Sequence, residues 1–469
     1  MLPAIFVIAA FTTCTKKWEE HNATTDAALE NNLFEAVSKT ANLGKFTELL
    51  VKSGYDKVIQ SSKNYTVWAP TDAALQSLSP AVIADSAQLR QFVGNHISNQ
   101  SILAGGVQRL RMLNGKYIAI GPTTFDSATI VTPNRYASNG ILHVIDKYVP
   151  RLDNTWEQVL KNTADAPLMR NFLLSLNRVV FDPTKATQIG TDPNTGLPVY
   201  DTASGAVIRN AFLDTVMNVS DEATEYTMIL LTDNAYTTEF NKLSPWFKTS
   251  SPDSTNRLTG YWLVKDLVFK GAYTAAQLPD TLISQYGVKV PLNKSAITAS
   301  YRTSNGVVHV MNQVNFALSN KFPPIIIQGE SPTSFAASRD GNTFYRVRTN
   351  PNNGQQFRDI LMQNYNFANY WIRYLVRNVP SMRYNAFWVA VNDVQTTPLW
   401  AQRLGIDNFT TTLPAKTVAY QDYSEVPLGQ FTIANFKNVD LFVVGPTTAS
   451  STGGTNSITL DYIKLVPAF

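Results

Sequence analysis

Tyr65-Thr66-Val67-Trp68-Ala69-Pro70-Thr71-Asp72 and, further along, Asn139-Gly140-Ile141-Leu142-His143-Val144-Ile145 are the stretches on which the reading of this chain turns. Both return. Tyr226-Thr227-Met228-Ile229-Leu230-Leu231-Thr232-Asp233 repeats the first block, and Asn305-Gly306-Val307-Val308-His309-Val310-Met311 repeats the second. Upstream of each pair lies a helical pattern, Asn32-Leu33-Phe34-Glu35-Ala36-Val37 and then Asn154-Thr155-Trp156-Glu157-Gln158-Val159. Three matches in one order mean two copies of one domain. The two strand blocks recur at nearly the same offset and the helical pattern at a shorter one. The second copy therefore carries extra residues between its helical pattern and its first core strand.

The blocks have readable physics. Tyr65 to Trp68 alternates as a strand does, and Ala-Pro-Thr-Asp then turns into a helix whose first amides Thr71 or Asp72 is placed to cap. Asn139-Gly140 and Asn305-Gly306 supply the left-handed backbone of a tight turn entering a strand. His143, and His309 in the second copy, lie inside that strand. Each is either a buried histidine bonded to a nearby carbonyl or carboxylate, or a ligand contact.

With both boxes present twice, residues 29 to 322 resemble a tandem pair of fasciclin domains, spanning 29–150 and 151–322, with an insertion near 182–225 in the second. The resemblance implies compact α/β (α+β) units, each a wedge of two small sheets with a helical layer, used on cell surfaces for adhesion. The family's central Tyr-His position reads Asn95-His96 in the first copy and Tyr261-Trp262 in the second. Animal relatives are thought to bind integrins through that region, so the resemblance makes His96 a candidate ligand-binding residue. Within the insertion, Asp192-Pro193-Asn194-Thr195-Gly196 is similar to the start of a calcium loop. The twelfth place, where such a loop needs a bidentate glutamate, is Ala203. A hairpin turn is the better account.

After Lys321-Phe322-Pro323-Pro324 the pattern changes to short apolar and aromatic runs separated by Asn-, Thr- and Gly-rich loops. Such spacing predicts an all-β sandwich or jelly roll over 323–469. Its two ends, Ile326-Ile327-Gln328-Gly329-Glu330 and Ser457-Ile458-Thr459-Leu460-Asp461-Tyr462-Ile463, resemble the jelly roll of carbohydrate-binding modules. That resemblance implies a structural calcium shared by Glu330 and Asp461, or else a surface carboxylate at each end with no metal. It also implies aromatic stacking on sugar faces, for which Trp400, in the loop Thr396-Thr397-Pro398-Leu399-Trp400, is the candidate. Trp371 and Trp388 sit inside strand patterns and are expected in the core.

The chain has 469 residues, 44% of them apolar, which suits two to four domains with real cores. Only 16% are charged, 39 basic against 35 acidic, and no basic stripe appears, so nucleic acid is not an expected partner. One cysteine excludes a disulfide framework and a Cys-x-x-Cys redox pair. That cysteine, Cys14, follows the apolar run Leu2 to Phe11, which is too short to span a bilayer and suits a secretory signal. Residues 1–13 resemble a lipoprotein signal, which implies an N-terminal acyl lipid on Cys14 and a tether over 14–28. The alternative is a buried structural cysteine. The charged run Lys16-Lys17-Trp18-Glu19-Glu20 resembles the signal that carries some Gram-negative lipoproteins to the cell exterior.

No Gly-x-Ser-x-Gly elbow, Walker loop, His-Glu-x-x-His or dinucleotide fingerprint occurs. The reading is a non-enzymatic lipoprotein anchored in the outer membrane bilayer and facing the exterior. It is expected to bind a polymeric ligand, polysaccharide or protein, in adhesion or nutrient capture. The alternative is an accessory subunit of a SusC/SusD-like outer-membrane transporter, without sugar binding of its own. No cofactor is expected beyond the structural calcium and the acyl lipid.

Overall fold

The computed structural model describes residues 27–449 and 456–469, so Cys14 lies outside the described residues. Each repeat starts alike. Asn32 accepts a hydrogen bond from the Glu35 amide while the Glu35 carboxylate reaches back to the Asn32 amide, fixing the helix Leu33–Ser38. Asn154 and Glu157 close the same reciprocal box on Thr155–Lys161.

Strand Tyr65–Pro70 runs parallel to Gly140–Ile145, from Tyr65 opposite Gly140 to Pro70 opposite Ile145. In the second domain Tyr226–Leu231 pairs identically with Gly306–Met311. The alternation expected in the first strand selects between two cores. Tyr65, Val67 and Ala69 join the helical side with Leu33, Phe46 and Phe92. Trp68 joins a second core with Ile118, Phe125 and Ile145. The first domain thus has a seven-stranded sheet, and the second a four-stranded one around the same parallel pair.

The Asn-Gly pairs meet the expectation only at their glycines, Gly140 and Gly306 having φ of 159° and 148°. Neither Asn139 nor Asn305 has a left-handed backbone. Each glycine is required by close approach, because a Cβ would stand 2.1 Å from the Tyr65 carbonyl oxygen at Gly140 and 1.9 Å from that of Tyr226 at Gly306. Each asparagine is a buried clamp. The Asn139 Oδ1 accepts from the Leu33 amide at 2.7 Å, and its Nδ2 donates to the carbonyls of Ile59 and Ser61 at 2.8 and 2.6 Å. Asn305 accepts from the Thr155 amide at 2.8 Å and donates to the carbonyls of Val219 and Asp221 at 3.0 and 2.8 Å.

Capping is divided between Thr71 and Asp72. Thr71 Oγ1 accepts from the Ala74 amide at 3.2 Å, at the start of its own turn. Asp72 instead accepts from the Lys45 amide at 2.8 Å, at the head of the distant helix Gly44–Ser53. Asp233 does the same for the Leu168 amide at 2.9 Å, at the head of Pro167–Ser175.

The second domain's insertion is a two-stranded ribbon. Asn177–Phe181 pairs with Ala206–Asn210, and further out Gln188–Thr191 pairs with Pro198–Tyr200. Its tip is the expected hairpin turn, with the Asp192 carboxylate accepting from the amides of Asn194 and Thr195 at 2.8 and 3.1 Å. Val179, Phe181, Ile189, Leu197, Val199 and Ile208 are exposed along it.

The last third is a β-sandwich. One sheet orders Ile325–Gln328, Tyr462–Ala468, Arg383–Val389 and Val426–Thr432. The facing sheet is centred on Trp371–Val379, Lys437–Val444 and Ala401–Ile406, and a three-stranded sheet ends in Ser457–Leu460. Asp461 marks the bend where the last strand passes from one sheet to another. Trp388 is buried, as expected.

The two junctions differ in kind. A continuous apolar cluster runs from Val159 in the second domain to Leu465 in the sandwich. There Phe247 stacks on Trp262 at 5.1 Å and packs on Phe322 and Phe436. Beneath it Lys321 and Asp266 form an ion pair whose two side chains are wholly buried, and Ser284 donates to Asp266 at 2.6 Å. The first domain's two cores stop short of the second domain. Its junction is polar: Lys116 reaches Glu157 and Glu222 at 2.7 and 2.6 Å, and Arg109 reaches Glu225 at 3.3 Å.

Candidate functional site

The described histidines, His96, His143 and His309, are structural. His96 is fully buried; its Nδ1 donates to the Phe92 carbonyl at 2.9 Å and its Nε2 accepts from the Val149 amide at 3.1 Å. Burial outweighs the Phe92 contact and lowers its pKa to about 4, so the ring is neutral. With both nitrogens engaged inside the domain, His96 offers nothing to a ligand, which corrects the expectation placed on it. The corresponding Trp262 stacks on Phe247 of its own domain and meets Phe436 of the sandwich edge-on at 6.2 Å. His143 bonds the Ile102 carbonyl and the Asn134 amide, and His309 the Tyr273 carbonyl and Ser300 hydroxyl, with burial lowering both pKa values.

Trp400 is also corrected. It is 3% exposed, because its carbonyl accepts from the Val418 amide and the strand Lys416–Thr417 lies alongside Ala401–Ile406. A buried indole has no face to give a sugar.

An aromatic shelf does exist, two strands away. Alternation in Trp371–Val379 sends Ile372, Tyr374 and Val376 into the core and leaves Trp371, Arg373 and Leu375 half-buried on the outer face. Trp371 stacks with Phe409 at 5.7 Å and meets Phe442 edge-on at 5.3 Å; Phe409 is 41% exposed. The register sets polar groups beside it. Arg373, opposite Phe442, pairs with Asp440 at 2.8 Å. Arg403, opposite Val444, donates to Asn369 and the Gly445 carbonyl at 2.7 and 2.8 Å. The strand pattern that assigned Trp371 to the core hid this, since period-two alternation alone does not say which face is covered.

Glu330 and Asp461 come together where the first strand leaves and the last strand bends, with the Gly329 amide donating to the Asp461 carbonyl at 2.6 Å. Glu330 Oε2 is buried without a hydrogen-bond partner. Burial first, then repulsion from Asp359 and Glu330, pushes the Asp461 carboxyl up to about 7, against the pull of Arg348. Asp359 is itself held by Arg346 and Arg348. Two underneutralised carboxylates with hard oxygen donors fit a cation such as calcium. Among the described residues no group of three or more His, Cys, Asp or Glu is arranged to hold a metal, so backbone carbonyls would have to complete such a shell. Also among the described residues, no helix is long and apolar enough to cross a membrane.

The sequence profile of the fasciclin domain matches residues 41–149. Over 102 residues the chain is 33% identical to the uncharacterized protein sll1735 of Synechocystis sp., covering 20% of this chain and 77% of that protein. It is 31% identical over 123 residues to the fasciclin-like arabinogalactan protein CTB11 of Cercospora beticola, covering 24% of this chain and only 33% of that protein. Among solved structures, the FAS1 domain pair of the insect cell adhesion molecule Fasciclin I aligns with 60% of this chain and 99% of its own, at 13% identity and a TM-score of 0.23. A family 35 carbohydrate-binding module from Clostridium thermocellum aligns with 31% of this chain and 100% of its own, at 17% identity and a TM-score of 0.23. With the profile match, the Synechocystis relative and the parallel strand pair carrying the boxes, the chain belongs to the fasciclin-domain family.

Proposed function

We propose that this protein acts by binding, as a lipoprotein held in the outer membrane through Cys14 and facing the cell exterior, where it captures a glycan in adhesion or nutrient uptake. The observation that carries the reading is the shelf of Trp371 and Phe409, backed by the buried Phe442, beside Arg373, Asp440 and Arg403. Aromatic faces suit the C–H side of a sugar ring, and guanidinium and carboxylate groups suit its hydroxyls. A calcium ion at Glu330 and Asp461 belongs to the same proposal; it would neutralise the bend beside the last strand. Affinity electrophoresis of the full chain against immobilised polysaccharides tests the reading. Retardation that disappears in Trp371→Ala supports it, and equal mobility in every gel refutes it.

A second reading has its own observation. The ribbon 177–210 carries six exposed large apolar side chains, the kind of surface that marks a protein contact. This favours an accessory subunit of a SusC/SusD-like transporter. Purification from native membranes in mild detergent, with and without residues 178–209, tests it. Loss of a co-purifying β-barrel protein on deletion is the supporting outcome.

A further inference from the structure

The two fasciclin domains face each other across a cleft of about 310 Å³, within the range of small-ligand sites. Alternation builds its walls. In the strand Tyr117–Ile120, Ile118 and Ile120 turn into the first domain's core, so Tyr117 and Ala119 face the second domain. Arg109, opposite Ala119, shares that side. In the strand Ile297–Thr303, Ser300 and Arg302 are exposed towards them. Val149, Pro150 and Leu152 of the linker, with Val307, give the cleft an apolar floor.

The charges at its rim are already matched. Arg302 donates to Asp126 across the cleft at 3.1 Å. Arg109 lies 3.3 Å from Glu225, donates to the Ser304 carbonyl at 3.1 Å, and stacks its guanidinium 5.2 Å over the Tyr117 ring. Lys116 is spent on Glu157 and Glu222. An anionic or cationic ligand would have to break one of these pairs and leave a half-buried charge without a partner. A neutral ligand would not. What suits an apolar floor, an aromatic ring and a rim of fixed donors and acceptors is a molecule with one apolar face and a ring of hydroxyls.

We propose that the cleft between the fasciclin domains is a binding site for a neutral saccharide of one or two rings, with Tyr117 as its platform and the Arg302–Asp126 and Arg109–Glu225 pairs as hydroxyl partners. This site is separate from the sandwich shelf and stands or falls without it.

Saturation-transfer NMR on the full chain tests it, with glucose, galactose, mannose, xylose, their β-linked disaccharides and, as charged counterparts, glucuronate and galacturonate. At least one neutral sugar is expected to receive saturation from the wild type and equally from Trp371→Ala. Tyr117→Ala should weaken its affinity at least about tenfold, as removing a central aromatic contact does. Ala119→Trp, which fills the cleft from an exposed strand position, should do the same and decides the matter if Tyr117→Ala does not fold. The proposal is overturned if no neutral sugar binds, if binding survives Ala119→Trp, if the uronates bind more tightly than their neutral parents, or if only Trp371→Ala abolishes binding.

Discussion

Asn139 is asked to hold three backbone groups of two distant segments at once: the amide at the start of the first helix and the carbonyls of Ile59 and Ser61 ahead of the first strand. Asn139→Ala leaves those groups buried and unpaired, which should cost about 2–4 kcal/mol in urea unfolding of the first domain. Asn139→Asp keeps the acceptor yet turns the donors into a repelling oxygen, and should be no better. Asn305→Ala should mirror the loss in the second domain. His96 adds a pH dependence whose sign follows from burial. Its pKa is lowered to about 4 in the fold and is about 6.5 when unfolded, so below pH 6.5 the unfolded chain takes a proton that the native ring refuses. Stability that is whole above that pH should drain away down to about pH 4, by roughly 3 kcal/mol, and then level off. His96→Asn should be less stable at pH 7.5 and lose less on acidification. An unchanged melting-temperature slope between pH 7 and 4.5 would remove His96 as the source.

Asp72 and Asp233 show how much of an element its own sequence carries. A Thr-Asp pair before a helical turn reads as a local cap, and Thr71 behaves so. The partner of Asp72 lies far upstream, at a helix head that only folding brings near. The residue type was therefore legible and its partner was not. Asp72→Ala should cost about 1 kcal/mol and speed amide exchange at the head of Gly44–Ser53, while Asp72→Asn should change little. The repeat itself was legible because the parallel strands are covered on both faces and so stay apolar at nearly every position, Thr66, His143, Thr227 and His309 being the polar exceptions. Trp400 misled for the converse reason. It follows a polar loop, and the strand that covers it, Lys416–Thr417, arrives from later in the chain. Trp371 misled because a half-covered sheet face and a fully covered one give the same alternation.

At the scale of the whole molecule, sequence punctuation separated the modules but could not say how they join. Pro323-Pro324 reads as a linker, yet the aromatic residues on both sides of it form one apolar interior with Phe247 and Trp262. Calorimetry of the full chain is therefore expected to resolve two transitions: the first fasciclin domain, and the second domain together with the sandwich. A chain ending at Phe322 should expose Trp246, Phe247 and Trp262, bind a hydrophobic dye and aggregate. Three separate transitions, or a well-behaved truncated chain, would contradict the shared interior.

The ionic seam between the two fasciclin domains has a mechanical meaning. Charged contacts weaken as dissolved salt shortens their reach, whereas an oily interface does not. Pulled at its two ends, such a chain should yield first at the Lys116 and Arg302 contacts. The second domain and the sandwich would move as one stiff arm on a compliant joint with the first domain, softer in brine than in fresh water.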